Sequence, residues 1–282
     1  MIEPRFAGMF YEASPVKLRE QVRSCFTNER GPGDLPLKRS DKPIKGIIVP
    51  HAGYEFSGPC AAWAYKELAE SKVSSTFVII APDHNGLHEF PTTTTEELKT
   101  PLGVVLVDKS FVTNLQKKCS FLRVDKISEH AIEVQLPFLQ VTQADVKDLR
   151  VVPIVVPSMD YYRELAEAIF EIDSEAVIIC STDLTHFGPQ FDFVPFKYKV
   201  EENLKELDMG AINFLEKLDT DGFVKYVRRT CATVCGANAV IVALEAMKLS
   251  LADTGELLSY YTSSEVTGDW VNSVSYCSMR FE

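Results

Sequence analysis

The chain has 282 residues, of which 46% are hydrophobic and 24% charged, so it is long enough to bury a large core as a globular protein. Asp and Glu outnumber Lys and Arg by 40 to 29, a net charge of -11. This charge disfavours nucleic acid as a partner, because a phosphate backbone attracts basic surfaces. The longest apolar runs are strand-sized and the chain opens on Glu3 and Arg5, so we expect a cytoplasmic protein with no signal peptide, membrane span or membrane partner.

Helix and strand patterns alternate along the chain. Ser14 followed by Pro15 is typical of a helix start, and this helix is predicted to run to about Cys25. The later elements are predicted, in chain order, as a strand ending before His51, a helix over 58–71, strands over 75–82 and 103–107, a helix over 108–118, a helix from 128 that Pro137 interrupts, a strand over 151–156, a helix over 161–172, a strand over 176–181, mostly helix over 197–249, and strands over 257–263 and 271–281. This alternation predicts an α/β fold in which a single domain, residues 1–282, has a mixed central sheet flanked by helices.

Three of the predicted strands lead into a histidine. IKGIIVP precedes His51, STFVIIAPD precedes His84, and EAVIICSTDLT precedes His186. Each strand is a short β-branched apolar run, which is typical of a strand buried on both faces. Because the carboxyl ends of parallel strands share one edge of an α/β sheet, where ligands bind, we expect these three imidazoles to converge there.

The segments around the first two histidines contain turn-forming glycines. In PHAGYEFSG, Tyr54 supplies an aromatic wall with a phenolic hydroxyl beside His51. The alternative, given equal weight, is a strand-to-helix turn whose histidine only caps backbone groups. In PDHNGLH, Asp83 either orients His84 or is solvated, and His88 is predicted to be a loop residue and not a ligand.

The segment STDLTHFG places Asp183 three residues before His186. If this turn is helical, the two side chains share a face and the carboxylate can hold one tautomer of the imidazole. That pairing suits a general base or a proton relay, so Asp183 and His186 are candidate catalytic residues. Asp183 could equally cap the backbone of the following turn.

The seven cysteines include no CxxC pair, which argues against a disulfide framework or a zinc ribbon. In TCATVCGANAVIVALEAM, Cys235 precedes an apolar helix, and the positive end of a helix lowers the pKa of a nearby thiol. A thiolate at that position can bind a metal or attack a substrate. The alternative is a buried, inert packing residue, which is the role predicted for Cys231.

The segment SEHAIEVQLPFL contributes Glu129, His130 and Glu133. His130 and Glu133 have the i,i+3 spacing of a helix, but the segment contains neither HExxH nor HxxEH. A lone histidine on an amphipathic helix is more often a structural group than a ligand. His130 and Glu133 are therefore predicted to support the site or contact its substrate.

Taken in order, the motifs resemble a known family. PRFAGMFY, PHAGYEFSGPCAAWAY, EHAIEVQLPFLQ, STDLTHFG, TVCG and GDWVNSVSYCSMRF span essentially the whole chain and are similar to the Memo family, named for a mediator of ErbB2-driven cell motility. The resemblance implies a fold similar to that of class III extradiol dioxygenases, with a cleft at the strand ends. It also implies that His51, His84 and Cys235 are metal ligands, with Asp183 and His186 beside them.

The chain departs from this family pattern at one position. Some relatives have two adjacent histidines where this chain has His84 and Asn85, so Asn85 stands in the ligand position if the family ligand is the second of the pair. We expect His84 to be the ligand, because it is the only imidazole at that turn. Two imidazoles and a thiolate form a soft set that suits copper or zinc better than iron.

Three functions are compatible with these residues. The first is a metal-dependent oxidoreductase whose cofactor is a transition metal ion (copper, iron or zinc) and whose cleft takes a small-molecule or peptide ligand. The second is a hydrolase in which Cys235 attacks an acyl-type substrate with His186 as base. The third is a non-catalytic module that binds a metal or the phosphotyrosine peptides with which the Memo family is associated.

Overall fold

The computed structural model describes residues 1–146 and 149–282. Within these residues the helices are α1 (Pro15–Thr27), α2 (Tyr54–Glu70), α3 (Lys109–Lys118), α4 (His130–Glu133), α5 (Gln135–Thr142), α6 (Tyr162–Ile172), α7 (Val200–Glu216), α8 (Thr220–Thr230), α9 (Ala237–Leu249) and α10 (Ser263–Thr267). No helix in the described ranges has the length and apolar character needed to cross a bilayer.

The strands of the described residues form one mixed sheet. They are β1 (Gly46–Val49), β2 (Thr76–Pro82), β3 (Thr92–Thr93), β4 (Leu98–Thr100), β5 (Gly103–Val107), β6 (Arg123–Val124), β7 (Arg150–Val156), β8 (Val177–Ser181), β9 (His186–Phe187), β10 (Gly255–Thr262) and β11 (Ser273–Phe281). Their main order is β10-β11-β1-β8-β2-β7-β3-β6. Outside this order, β5 pairs with β7, β4 pairs with β5, and β9 pairs with β11.

The centre of the sheet is parallel. Strands β1, β8, β2 and β7 run in the same direction, whereas β11 is antiparallel to β1 and β3 is antiparallel to β7. Every residue of β1, β2 and β8 is buried, as the continuous apolar runs predict for strands covered on both faces. Val49 lies opposite Ser181, so the residues that follow β1 and β8 emerge at the same edge.

Helices cover both faces of this sheet. The chain crosses from β1 to β2 through α2 in one direction and from β7 to β8 through α6 in the opposite direction. Since such crossovers are right-handed, the two helices lie on opposite faces. Helix α9 contacts α6 on one face of the sheet, and α1 contacts α2 on the other. The prediction of a single α/β domain with a mixed central sheet flanked by helices is confirmed.

The structure corrects two predicted helix boundaries. Helix α2 begins at Tyr54, four residues before the predicted start at 58. The break in the helix predicted from residue 128 falls at Val134, between α4 and α5, and not at Pro137. Pro137 lies in the first turn of α5, where its missing N–H would have had no intrahelical acceptor.

Candidate functional site

Three side chains from separate elements meet at the carboxyl edge of the parallel strands. His51 follows β1, His84 follows β2, and Cys235 lies just before α9. One potential ligand atom from each lies within 4.8 Å of the other two. The Nε2 atom of His51 is 3.2 Å from the Sγ atom of Cys235, and the rings of His51 and His84 meet edge to face with centroids 4.9 Å apart. The structure therefore brings together the three residues predicted as metal ligands.

His51 forms the buried floor of the site, with 2% of its surface exposed. Its Nδ1 atom lies 3.0 Å from the hydroxyl of Ser181, and its backbone N–H donates to the carboxylate of Asp183 at 2.8 Å. Burial and the neighbouring imidazoles of His84 and His130 hold the pKa of His51 well below its usual value. The ring is therefore neutral at neutral pH and can coordinate a metal without losing a proton.

His84 is held by Glu129, a carboxylate that the sequence analysis did not single out as a site residue. Glu129 accepts the backbone N–H of His84 at 2.9 Å and lies 2.9 Å from its Nδ1 atom. Burial raises the pKa of Glu129, but contacts with the imidazoles of His130 and His84 outweigh burial and bring it well below its usual range. Glu129 is thus an ionised, buried acceptor. The available signal was its position, an acidic residue at a helix N-cap directly before a histidine.

His130 lies beside both proposed ligands. Its ring centroid is 4.4 Å from that of His84 and 5.3 Å from that of His51, and its Nδ1 atom is 2.9 Å from Glu129. Phe10 covers the ring with a centroid distance of 4.6 Å. The structure thus places His130 at the site; its predicted supporting or substrate-binding role stays a prediction.

Glu133 is directed away from the imidazoles. Its carboxylate accepts the backbone N–H groups of Arg5 and Phe6, each at 2.9 Å, and the hydroxyl of Tyr11 at 2.6 Å. It therefore anchors the N-terminal segment, residues 5–11, against α4. Because this segment carries the aromatic side chains that pack on His130, Glu133 affects the site through that wall and not through the predicted pairing with His130.

Two other predicted contact residues lie outside the cluster. Tyr54 is 3% exposed and its hydroxyl donates to the carbonyl of Val134, so Tyr54 packs in the core; its predicted supporting or substrate-binding role stays a prediction. Asn85 is exposed and its Nδ2 atom donates to the carbonyl of Ser128 at 3.1 Å. It tethers the loop that carries His84, whose ring is the one within reach of His51 and Cys235.

The predicted pairing of Asp183 with His186 is wrong. Residues 182–184 lie in neither a helix nor a strand, Thr185 forms a single bridge with Val234, and His186 begins β9, which pairs with β11. The Nδ1 atom of His186 lies 3.1 Å and 3.2 Å from the carbonyl oxygens of Leu184 and Thr233, while Asp183 accepts from the backbone of His51. Backbone carbonyls therefore orient His186. Asp183, His186 and Cys235 still form a second group whose ligand atoms lie within 4.8 Å of one another.

Cys235 is a protonated thiol and not the predicted thiolate. Burial and the neighbouring carboxylate of Asp183 raise the pKa of Cys235 well above its usual value, because both disfavour a second negative charge. The backbone N–H of Asp183 donates to its sulfur at 3.3 Å. A Cβ atom on the next residue, Gly236, would lie 2.5 Å from Thr182, so the glycine permits the close approach that places Cys235 against the loop.

Asp208 is a second residue that the sequence analysis missed. It is 1% exposed on α7, where it accepts the hydroxyl of Thr185 at 2.6 Å and that of Tyr260 at 2.8 Å. Thr185 lies between Asp183 and His186, so Asp208 holds the loop that carries both. The signal in the sequence was an acidic residue on the otherwise apolar, buried stripe of a helix.

The donor set fits a transition metal. Tetrahedral zinc, with bonds of about 2.3 Å to sulfur and 2.0 Å to nitrogen, separates these two ligand atoms by about 3.5 Å. The observed separation of 3.2 Å between His51 and Cys235 needs only a small adjustment. A neutral imidazole and a thiol that can be deprotonated are suitable ligands, so the three side chains could hold one ion.

Comparisons of the sequence with known proteins identify one family. A sequence model of the family described as Memo-like protein matches residues 3–280. MEMO1 family proteins of Methanopyrus kandleri, Sulfolobus acidocaldarius and Methanothermobacter thermautotrophicus are 39%, 35% and 34% identical to this chain. The alignments cover 99%, 99% and 98% of this chain and 98% of each relative. The crystal structure of an uncharacterised protein from Escherichia coli K12 aligns with 85% of this chain and 100% of its own at 12% identity, with a TM-score of 0.49.

Proposed function

Because this chain belongs to the Memo-like protein family, we propose that it binds a transition metal ion through His51, His84 and Cys235 and acts as a metal-dependent oxidoreductase. One observation carries the proposal. Ligand atoms from three residues, at positions 51, 84 and 235, lie within 4.8 Å of one another at the carboxyl edge of the sheet. That edge is where α/β sheets bind their ligands.

The donor chemistry limits the choice of metal. Two imidazoles and a thiolate favour copper or zinc over iron, which in oxygenases usually has two histidines and a carboxylate. A bound copper ion would supply one-electron redox chemistry, and three protein ligands leave a coordination position for a substrate. Copper is therefore the metal that agrees best with a redox function.

The chain's own residues prepare this chemistry. The backbone N–H of Asp183 donates to the sulfur of Cys235 and stabilises the thiolate once the proton has left. His186, with Nδ1 turned to two carbonyl oxygens, keeps Nε2 free to accept a proton from a ligand in the cleft. His186 thus keeps its predicted acid/base role, with Leu184 and Thr233 as the groups that orient it in place of Asp183.

Metal content tests the proposal directly. The protein is purified without chelator or affinity metal, and copper, zinc and iron per chain are measured by mass spectrometry. We expect about one equivalent for the wild type and a large loss in His51→Ala, His84→Ala and Cys235→Ser. Cys231→Ser is the matched control, because Cys231 is exposed at the end of α8 and is not the buried packing residue predicted from the sequence. Equal uptake by all five proteins would refute the assignment.

A thiol hydrolase is the second candidate, favoured by the contact between Cys235 and His51. The 3.2 Å separation of sulfur and Nε2 is that of a Cys–His pair, and it makes His51 the base in place of the predicted His186. The raised pKa of Cys235 and the lowered pKa of His51 favour the neutral pair over the reactive ion pair. We therefore expect slow alkylation of Cys235 by iodoacetamide in metal-free protein; rapid, selective alkylation would favour the hydrolase.

The phosphopeptide-binding alternative fits the charges less well. The carboxylate of Glu129 lies at the site and contacts with His130 and His84 hold its pKa below the usual range, so its negative charge disfavours a phosphate dianion. Titration of the metal-free protein with a phosphotyrosine peptide and its unphosphorylated form is the simplest test. We expect no preference for the phosphorylated form.

A further inference from the structure

We propose that Ser181 and Glu129 are positioning residues that fix the tautomers of His51 and His84, so that both rings present an unprotonated Nε2 atom before any metal binds. The inference rests on the metal site of the proposed function. The tautomers of His51 and His84 are nevertheless a property of the metal-free protein and can be measured before any metal is added. A metal-binding imidazole usually has its other nitrogen held by a hydrogen-bond acceptor.

The tautomer of His51 follows from the single proton of the Ser181 hydroxyl. Ser181 is fully buried, and its oxygen lies 2.7 Å from the carbonyl oxygen of Ala131. A carbonyl can only accept, so the hydroxyl proton points to Ala131. The oxygen of Ser181 is then an acceptor toward its other neighbours. The Nδ1 atom of His51, 3.0 Å away, must carry the proton and donate it.

Gln135 independently supports this direction. One end of its side-chain amide lies 3.0 Å from the carbonyl oxygen of Pro50, which can only accept, so that end is the Nε2 donor. The same nitrogen donates to the Ser181 oxygen at 3.0 Å. Ser181 therefore donates once, to Ala131, and accepts twice, from Gln135 and His51. A hydroxyl with two lone pairs is fully used by these partners.

The tautomer of His84 follows from the contacts of Glu129. Both carboxylate oxygens accept backbone N–H groups, Oε2 from His84 and Oε1 from Ala131, so the Nδ1 atom of His84, 2.9 Å from Oε1, must donate. The second oxygen accepts the backbone N–H of the same residue, which fixes the ring and its loop together. Ala131 links the two positioning residues, because its N–H donates to Glu129 at 3.2 Å and its carbonyl accepts from Ser181.

The consequence is a site whose ligand atoms are already selected. With Nδ1 protonated in both rings, the lone pair of each Nε2 atom is free, and that of His51 faces the thiol of Cys235. Free imidazole prefers the opposite tautomer, with the proton on Nε2, which cannot coordinate through that atom. Loss of either positioning residue should therefore weaken metal binding by about 10- to 100-fold.

Nitrogen-15 NMR of the metal-free protein tests the proposal at one fixed, neutral pH. The five histidines are labelled, and their one- and two-bond couplings report which nitrogen carries the proton. We expect Nδ1–H for His51 and His84 in the wild type. Ser181→Ala should shift His51 alone toward Nε2–H, and Glu129→Gln should shift His84 while leaving His51 unchanged. Glu97→Gln, a carboxyl change at a residue that accepts the backbone N–H of Val107, is the control that should shift neither.

The outcomes separate this inference from the proposed function. Nε2–H tautomers for His51 and His84 in the wild type would overturn the inference. This measurement uses the wild type alone, so it does not depend on whether the variants fold. Unchanged tautomers in Ser181→Ala and Glu129→Gln would also overturn it. If the tautomers are as expected but the wild type binds no metal, the proposed function fails while the positioning roles are supported.

Discussion

At the scale of single residues, the protonation of Cys235 determines how metal binding depends on pH. Burial and Asp183 raise the pKa of Cys235 above its usual value, whereas burial lowers that of His51. At neutral pH the thiol is protonated and the imidazole is neutral. Metal binding should therefore release about one proton, and affinity should rise by about tenfold per pH unit while the thiol remains protonated.

Calorimetry in two buffers of different ionisation enthalpy measures this proton release. We expect about one proton per metal for the wild type and for Cys231→Ser. Cys235→Ser should release close to none, because a serine hydroxyl is not deprotonated near neutral pH. Release of no proton by the wild type would mean that Cys235 is not a ligand or is already a thiolate.

The two ligand histidines should differ in their contributions to stability. His51 is 2% exposed and contacts Ser181 and Cys235, so His51→Ala leaves buried polar groups without a partner and should lower the free energy of unfolding by about 1–3 kcal/mol. The side chain of His84 is 28% exposed, so water can replace it. We expect His84→Ala to cost less than about 1 kcal/mol in urea unfolding. Equal losses would contradict the burial difference.

At the scale of elements, the contact of α7 with the loop after β8 depends on Asp208. Burial raises the pKa of this carboxyl above its usual value of 3.8. The protonated form is therefore preferred in the folded state, and its contribution to stability, complete below pH 3.8, is lost as pH rises through the raised pKa. Each unit by which the pKa is raised corresponds to about 1.4 kcal/mol.

The variant Asp208→Asn removes this titration. The wild type loses stability from Asp208 as pH rises, and the variant does not. The free energy of unfolding of the variant minus that of the wild type should therefore increase from acid to neutral pH. The measurement is urea unfolding of both proteins at several pH values, in which the other titrating groups cancel. If this difference in the free energy of unfolding stays constant or decreases as pH rises, the raised pKa of Asp208 is contradicted.

The elements of the site differ in how well the sequence predicts them. The turns that carry His51 and His84 follow strands whose apolar runs are local and unambiguous, so their meeting at one edge could be predicted. The form of segment 182–187 could not, because it depends on pairing of β9 with β11, about 90 residues later. The i,i+3 pairing of Asp183 with His186 required a helical turn, and the tertiary pairing gives the segment a different form.

The supporting residues were harder still to predict. Glu129 meets His84 from 45 residues away and Asp208 meets Tyr260 from 52 residues away, and no spacing rule links such pairs. The pKa of Cys235 was mispredicted for a related reason. Its position before α9 is visible in the sequence, but the burial and the Asp183 carboxylate that raise its pKa appear only in the folded chain.

At the scale of the whole molecule, the metal site exists only in the folded chain. His51 and Cys235 are 184 residues apart in sequence, so the unfolded chain should bind metal weakly. A ligand that binds only the folded state at 100 times its dissociation constant stabilises it by about 2.7 kcal/mol. We expect the melting temperature to rise with copper or zinc for the wild type and Cys231→Ser but not for Cys235→Ser. A rise of the same size in Cys235→Ser would indicate binding elsewhere.

The central claim, that one metal ion is bound by His51, His84 and Cys235, is tested most directly by X-ray absorption of the zinc-loaded protein. We predict one sulfur neighbour at about 2.3 Å and nitrogen or oxygen neighbours at about 2.0–2.1 Å. The sulfur neighbour should disappear in Cys235→Ser and remain in Cys231→Ser. A metal with no sulfur neighbour in the wild type, or with one that persists in Cys235→Ser, would contradict the assignment.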